Sequence, residues 1–138
     1  MNPSLALRDA SVQDIQLELI RRTRFNNFDG ERVVASLLRH RALWLGVLFD
    51  HVGESPRYGS ALLHVDGLIK LRDLADGIWN VDTLFVLTSN LRTARDLARL
   101  LAEDDLKGDI TVHDDPDETG AALGTMGEAW GVLTVWWD

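Results

Sequence analysis

The chain has 138 residues, 46% hydrophobic and 26% charged, values typical of one globular domain, so we expect residues 1–138 to fold as a single domain. No apolar run approaches the roughly 18 residues of a membrane helix, and Asp9 interrupts any signal-peptide core, which favours a cytoplasmic protein without a membrane partner. The absence of cysteine excludes disulfides and thiolate chemistry, while the net charge of -8 argues against nucleic-acid binding and favours a basic protein partner.

The first predicted element is a helix from about 12 to 23. Ser11 and Asp14 have the spacing of a capping-box variant, and apolar residues follow at helical spacing. Basic residues near the end of this helix complement the negative end of its dipole, and the functional alternative is a basic patch for an anionic partner. They are Arg21, Arg22 and Arg24.

A second helix is predicted to begin after Asp29, a suitable N-cap. The apolar run at 42–49 could be a buried strand or the continuation of that helix. Apolar residues stay close to the 3.6-residue period at Val34, Leu38, Leu45, Leu48 and Val52. We therefore expect the helix to continue to about 51. A strand there would add a member to the sheet and favour a doubly wound α/β fold.

Residues 53–60 are rich in glycine, serine and proline, which predicts an exposed loop. After it, Leu68, Leu71 and Leu74 have the spacing of a short third helix that ends before Gly77. A short strand is the alternative, because apolar and basic residues also alternate in this segment.

The segment 81–90 reads V-D-T-L-F-V-L-T-S-N and predicts a strand. Alternate side chains such as Leu84 and Phe85 are apolar on both faces, as in a central strand covered on both sides. Capping oxygens at 88–90 then precede an amphipathic helix at 91–103. Strand and helix together form half of a β-α-β unit.

The C-terminal third predicts another strand, helix and strand. A short strand around 110–112 is followed by Asp115 and Pro116, strong signals for a helix start, and that helix should end at Gly124. Residues 132–137 read V-L-T-V-W-W and predict a last strand.

These elements predict an α+β fold. N-terminal helices should pack on a small sheet with β-α-β-α-β order from 81 to 137. The alternative is a three-layer α/β fold, which the strand interpretation of 42–49 would favour.

Candidate catalytic residues follow the predicted strands. If the strands are parallel, their carboxyl ends share one sheet edge, which places His113, Asp114 and Asp115 there, with Asp50 and His51 joining them if 42–49 is a strand. Histidine and carboxylates could serve as a general acid and base or bind a divalent metal. The bland interpretation is that the acidic residues simply begin the following helix.

Recognised cofactor and nucleophile motifs are missing. Neither phosphate-binding pattern, G-x-x-x-x-G-K-[ST] or G-x-G-x-x-G, occurs, and neither does a G-x-S-x-G nucleophile elbow. The acidic residues match no metal-binding spacing. We therefore expect no cofactor and no bound metal.

Tryptophan is the better functional clue. Adjacent Trp136 and Trp137 must project from opposite faces of one strand. Trp137 shares a wholly apolar face, whereas Trp136 shares a mixed face and is the candidate for exposure. With Trp130 they predict an interface for a homodimer or another protein. Core packing is the competing interpretation.

The sequence therefore favours a non-enzymatic protein that interacts with a basic partner or with itself. A small regulator, an immunity or antitoxin-like inhibitor, and a subunit of a larger assembly all fit its acidity and tryptophan content. The alternative is a small hydrolase or metal-binding enzyme that uses His113, Asp114 and Asp115.

Overall fold

The computed structural model describes residues 6–51 and 68–138, and the predicted loop at 53–60 lies outside them. The helices are α1 (Val12–Arg22), α2 (Gly30–Arg39), α3 (Leu68–Leu74), α4 (Leu91–Glu103) and α5 (Pro116–Leu123). The strands are β1 (Arg24–Phe25), β2 (Phe28–Asp29), β3 (Gly46–Asp50), β4 (Thr83–Thr88), β5 (Asp109–His113) and β6 (Gly131–Trp136). None of these helices has the length and apolar character needed to cross a membrane.

Strands β3 to β6 form one sheet in the order β3-β4-β6-β5, and every neighbouring pair is antiparallel. β4 and β5 therefore point in the same direction, but β6 lies between them. Helix α4 connects these two strands, so the predicted β-α-β unit is split by an inserted strand. The β-α-β-α-β order of the C-terminal half and the α+β class are confirmed.

Helices α1 and α4 cover one face of the sheet, here called the inner face, and α2 packs against α1. Inner-face residues of the two central strands, including Leu84, Val86, Leu133 and Val135, are almost completely buried. Residues on the opposite, outer face, such as Phe85, are only half-buried. β4 is thus buried under helices on one face and partly open on the other, whereas the sequence predicted cover on both.

The predicted continuation of the second helix through 42–51 is wrong. The indole N–H of Trp44 donates to a carbonyl in the last turn of α2 at 2.8 Å, and the chain then enters β3. In β3, Val47 and Phe49 are buried on the inner face while Leu48 is 42% exposed. Pairing with β4 makes residues 46–50 a strand, and the local sequence pattern carries no information about that pairing. The sheet gains a strand, but its antiparallel pairing excludes a doubly wound fold.

The predicted starts of four helices, α1, α2, α4 and α5, are confirmed by their caps. Ser11 and Asp14 make both hydrogen bonds of a capping box at the start of α1. Asp29, Asn90 and Asp115 accept backbone N–H groups at the starts of α2, α4 and α5. Two glycines with positive φ follow α3 and α5, as predicted, namely Gly77 and Gly124.

The free edge of strand β3, which faces away from β4, is closed by side chains from elsewhere in the chain. The side-chain amide of Gln13 donates to the carbonyl of Val47 and accepts the N–H of Val47, both at 2.9 Å. The indole of Trp79 donates to the carbonyl of Phe49 at 3.2 Å. These bonds occupy backbone groups that an edge strand otherwise offers to another strand.

The short hairpin of β1 and β2 brings α1 and α2 into close contact. Asn26 and Asn27 form its turn, and Gly30 directly after β2 donates its N–H to the carbonyl of Thr23 at 3.0 Å. A Cβ atom on residue 30 would lie 1.9 Å from the carbonyl oxygen of Ile20. Only glycine fits this approach.

We expect Gly30→Ala to lower the free energy of unfolding by at least about 2 kcal/mol, because the added methyl group forces the two helices apart. Gly46→Ala is the matched control, since among the described residues a Cβ there meets the Gln13 side chain at 3.5 Å, an ordinary contact distance. Its effect should stay below about 1 kcal/mol. Urea unfolding followed by circular dichroism measures both. Equal stability of the two variants would contradict the close approach.

Candidate functional site

The structure separates the predicted catalytic residues into two groups. Asp50 pairs with Thr83 at the beginning of β4, whereas His113 pairs with Val132 at the beginning of β6. Because β4 and β6 are antiparallel, these positions lie at opposite ends of the sheet. His51 follows Asp50 and stays at its end. No single site can therefore combine these residues with His113.

At the His113 end, the predicted acid and base do not pair. Nε2 of His113 lies 3.1 Å from the hydroxyl oxygen of Thr134, on the neighbouring strand. Asp115 accepts the N–H groups of Asp117 and Glu118 as the N-cap of α5. Within residues 6–51 and 68–138, no three histidine or carboxylate side chains converge as metal ligands. The helix-start interpretation accounts for Asp115.

A different histidine–carboxylate pair lies at the other end of the sheet. Nδ1 of His51 is 3.2 Å from Oδ1 of Asp82, which also accepts the hydroxyl of Thr83 at 2.8 Å. His51 and Asp82 continue the β3–β4 register by one step beyond the last strand pair. Asp82 could not be recognised from the sequence as the partner of His51, because the contact depends on a strand that the apolar period did not predict.

Asp50 has a separate, structural partner. It accepts Nζ of Lys70 at 2.6 Å and the backbone N–H of His51 at 2.8 Å. Burial acts to raise the pKa of Asp50, but these hydrogen bonds outweigh it and hold the pKa below its usual value. Asp50 is thus a carboxylate that ties β3 to α3.

The His51–Asp82 pair borders a cleft of about 510 Å³ lined by aromatic side chains. An imidazole held through Nδ1 by a carboxylate is an arrangement used in general-base catalysis. The nearby hydroxyl groups are already engaged, since Thr83 donates to Asp82 and Thr23 donates to the carbonyl of Leu19 at 2.8 Å. Among the described residues, the cleft offers a base without an activated hydroxyl nucleophile.

A serine, a histidine and an aspartate also meet between α2 and the end of α4, but not as a catalytic triad. The hydroxyl of Ser36 lies 2.6 Å and Nε2 of His40 lies 2.9 Å from the same oxygen of Asp104. In a triad the histidine lies between the other two, whereas here the carboxylate does. Nη1 of Arg39 lies 2.9 Å from the other carboxylate oxygen of Asp104. The cluster therefore joins two helices.

The arginines at the end of α1 do not form a free basic patch. Arg21 and Arg22 both pair with Glu18, and Arg24 lies 3.5 Å from Asp29. Glu31 contributes further ion pairs to this surface. The positive charge of these arginines is therefore balanced by neighbouring carboxylates, which argues against the alternative of an anion-binding patch.

The two C-terminal tryptophans project as the alternation predicts. Trp136 is 41% exposed, whereas Trp137 is 1% exposed and packs edge-on against Phe28, with ring centres 4.7 Å apart. The Trp137 indole also donates to the carbonyl of Leu106 at 2.8 Å. Trp137 belongs to the core and offers no surface to a partner, which corrects its assignment to an interface. Trp130 is half-buried and donates to Glu128 at 2.6 Å.

An open groove on the outer face of the sheet was not anticipated from the sequence. Its floor contains Leu48, Phe85, Leu87 and Val132 from three neighbouring strands, and α5 forms one wall. The groove has a volume of about 670 Å³. The wall contributes Leu123, which is 39% exposed. Because the sequence placed Leu48 in a helix, it could not assemble this surface.

The groove carries negative formal charge from one carboxylate, and its described lining contains no lysine or arginine. Glu118 lines it from α5, and Lys107 is the last lysine or arginine in the chain. Among the described residues, no lysine or arginine nitrogen lies within 4.0 Å of the carboxylates that follow Lys107. These carboxylates belong to Asp109, Asp114, Asp115, Asp117, Glu118, Glu128 and Asp138.

The described residues form an α+β fold with one sheet face buried under helices and one partly open face. Comparison with protein-family models, curated proteins and solved structures found no match to this chain. The chemistry of the groove and its acidic surroundings therefore carries the functional conclusion.

We expect Trp136→Ala to leave the fold intact and to lower the free energy of unfolding by no more than about 1 to 2 kcal/mol, since the ring is only partly buried. Trp137→Ala is the contrasting variant. It should lower the same free energy by about 3 to 5 kcal/mol, because it removes a fully buried ring. Urea unfolding of the two variants measures the difference. Similar losses of unfolding free energy in the two variants would show that Trp136 is a core residue and not a surface residue.

A second prediction concerns Asp104. The hydrogen bond from Ser36 lowers the pKa of Asp104, with further lowering by His40 and Arg39 that burial does not offset. A lowered pKa stabilises the fold above the ordinary aspartate pKa of about 4, and the stabilisation disappears as pH falls through the folded value. Asp104→Asn should therefore be less stable than the natural protein at pH 7 by about 1 to 2 kcal/mol.

This stability difference should begin to shrink as the pH falls below about 4, where the aspartate of the unfolded chain becomes protonated, and should continue to shrink toward the lowered pKa of folded Asp104. Glu103→Gln is the matched control, because Glu103 is exposed and its ion pair among the described residues is with Arg99 at 3.7 Å. Surface pairs of that kind contribute little. Urea unfolding between pH 3 and pH 7 gives the comparison, and a pH-independent difference would rule out the ionised carboxylate as the cause.

Proposed function

We propose that this protein is a non-enzymatic interaction protein that binds a basic protein partner through the outer face of its sheet. The observation that carries this proposal is the open apolar groove, whose described lining contains Glu118 and no lysine or arginine. A small regulator or an immunity or antitoxin-like inhibitor is the class that fits best. We also propose a cytoplasmic location, because a chain without cysteine suits a reducing compartment.

The groove floor is a continuous apolar surface. Leu48 pairs with Phe85, and Leu87 pairs with Val132, so these four side chains lie next to one another on three adjoining strands. Soluble monomers seldom leave contiguous apolar surface uncovered unless it binds something. Trp136, two residues beyond Thr134 on β6, extends the same face toward the far end of the sheet. An exposed tryptophan is a frequent anchor in protein interfaces.

The charge around the groove selects the partner's chemistry. Glu118 lies in the wall, and the other carboxylates of the C-terminal third have no nearby lysine or arginine among the described residues. A partner segment with apolar side chains flanked by lysine or arginine would bury its apolar part on the floor and pair a cation with Glu118. The net charge of -8 would also accelerate encounter with such a partner.

We expect Leu48→Glu to weaken partner binding by at least about tenfold, because it places a charge in the centre of the apolar floor. Leu38→Glu is the matched control, since Leu38 lies on α2, outside the groove, and is similarly exposed at 44%. Both variants serve as bait in extract of the native host, with quantitative mass spectrometry. Titration of the purified partner then gives the dissociation constants.

The proposal requires one basic protein that the natural chain and Leu38→Glu retain and Leu48→Glu loses. Equal retention by all three baits would place the interface elsewhere. If no bait retains a stoichiometric partner, the interaction function is rejected. The enzyme alternative would then rest on His51, which Asp82 orients beside the aromatic cleft.

A further inference from the structure

The two edge strands of the sheet, β3 and β5, differ in how their free hydrogen-bonding edges are protected. β3 is closed by Gln13 and Trp79, as described above. β5 pairs with β6 on one side only, and on its other side its backbone forms no hydrogen bond with the described residues. Asp109 and Thr111 on this strand are exposed. Unprotected edges are templates for pairing with another strand.

We infer that β5 pairs with β5 of a second copy of this chain, in antiparallel register centred on Thr111. The pairing joins two four-stranded sheets into one sheet of eight strands. Such an interface is isologous, with the same strand used by both subunits, as in most homodimers. The inference concerns the free edge of the sheet, which shares His113 with the lining of the groove, and it does not depend on a basic partner.

The sequence of β5 is complementary to itself in this register. Asp109 of each copy lies opposite His113 of the other, and Ile110 lies opposite Val112 of the other. An acidic residue opposite a histidine, and an apolar residue opposite another apolar residue, are cross-strand pairs that stabilise antiparallel sheets. A parallel arrangement in register would instead oppose Asp109 to its own equivalent, which is unfavourable.

Burial favours the same arrangement. Ile110 and Val112 pack against the core but are only half-buried, because no strand lies beyond them. A second β5 would place an apolar side chain beside each of them and remove further apolar surface from water. The exposed Thr111 side chains would meet at the two-fold axis.

The register also fixes the relation between the two grooves. Two antiparallel copies of one strand are related by a two-fold axis perpendicular to the sheet, so the outer faces of both sheets point to the same side. The dimer would present two grooves on one surface. Two linked sites on a partner with repeated binding segments would raise avidity without any new contact.

Analytical ultracentrifugation over a range of concentrations tests the pairing. The natural chain should form a dimer, and Thr111→Lys should raise its dissociation constant by at least about tenfold, because two lysines would meet at the axis. Ala35→Lys is the control of equal charge, on the exposed side of α2. It should leave the dissociation constant within about threefold of the natural value.

A charge exchange within β5 identifies the register. Asp109→Lys should weaken the dimer, and Asp109→Lys combined with His113→Glu should restore it, because the new lysine then lies opposite the new glutamate. The two positions are four residues apart on one strand, too far to interact within one chain. Rescue therefore requires two copies. Amides of β5 should also exchange more slowly with solvent as protein concentration rises.

Three results would overturn the inference. The natural chain could remain monomeric at every concentration, Thr111→Lys could dimerise as strongly as Ala35→Lys, or the double exchange could fail to restore a dimer that Asp109→Lys weakens. None of these readouts involves the basic partner. Loss of partner capture by Leu48→Glu with a normal dimer would separate the groove from the β5 edge.

Discussion

Burial of the inner sheet face beneath α1 and α4 is the constraint on which the rest of the molecule depends. Phe28, Phe49 and Trp137 meet there, with ring centres of Phe28 and Phe49 4.8 Å apart. These rings join the N-terminal hairpin, the edge strand β3 and the chain end, which are far apart in sequence. The two indole groups that enter this core keep their N–H bonded to backbone carbonyls, as buried polar groups must. Once this face is packed, strand order and register follow.

Packing of the inner face neither covers the outer face nor satisfies the backbone groups of the two edge strands. One edge is satisfied internally, because Gln13 supplies both a donor and an acceptor to Val47 and so imitates a neighbouring strand. The outer face keeps an apolar floor beside acidic residues, which for a lone monomer exposes surface that water disfavours. The proposed interaction would give that surface a use, and it would account for the carboxylates after Lys107, of which Glu118 lies in the groove wall.

Antiparallel pairing decides which polar residues can act together. In a parallel sheet His51 and His113, which lie at the carboxyl ends of β3 and β5, would share one edge. Here β3 and β5 run in opposite directions, so the two histidines lie at opposite ends and acquire different partners, Asp82 and Thr134. The carboxylate beside Ser36 and His40 likewise serves helix packing. Residue types that suggest catalysis in a sequence become structural contacts when their order in space is wrong for proton transfer.

Much of the local structure could be predicted from the sequence alone. Capping side chains at Ser11, Asp29, Asn90 and Asp115 bond to amides two or three residues away, so the sequence itself contains both partners. The opposite projection of Trp136 and Trp137 follows from strand geometry in the same way. Only the tertiary structure decided that 46–50 is a strand, that β6 separates β4 from β5, and that Asp82 meets His51. Each of these depends on pairing between segments distant in the chain, and local periodicity holds no record of which strand lies alongside. The groove belongs to this second group, because its floor exists only after three strands have been placed side by side.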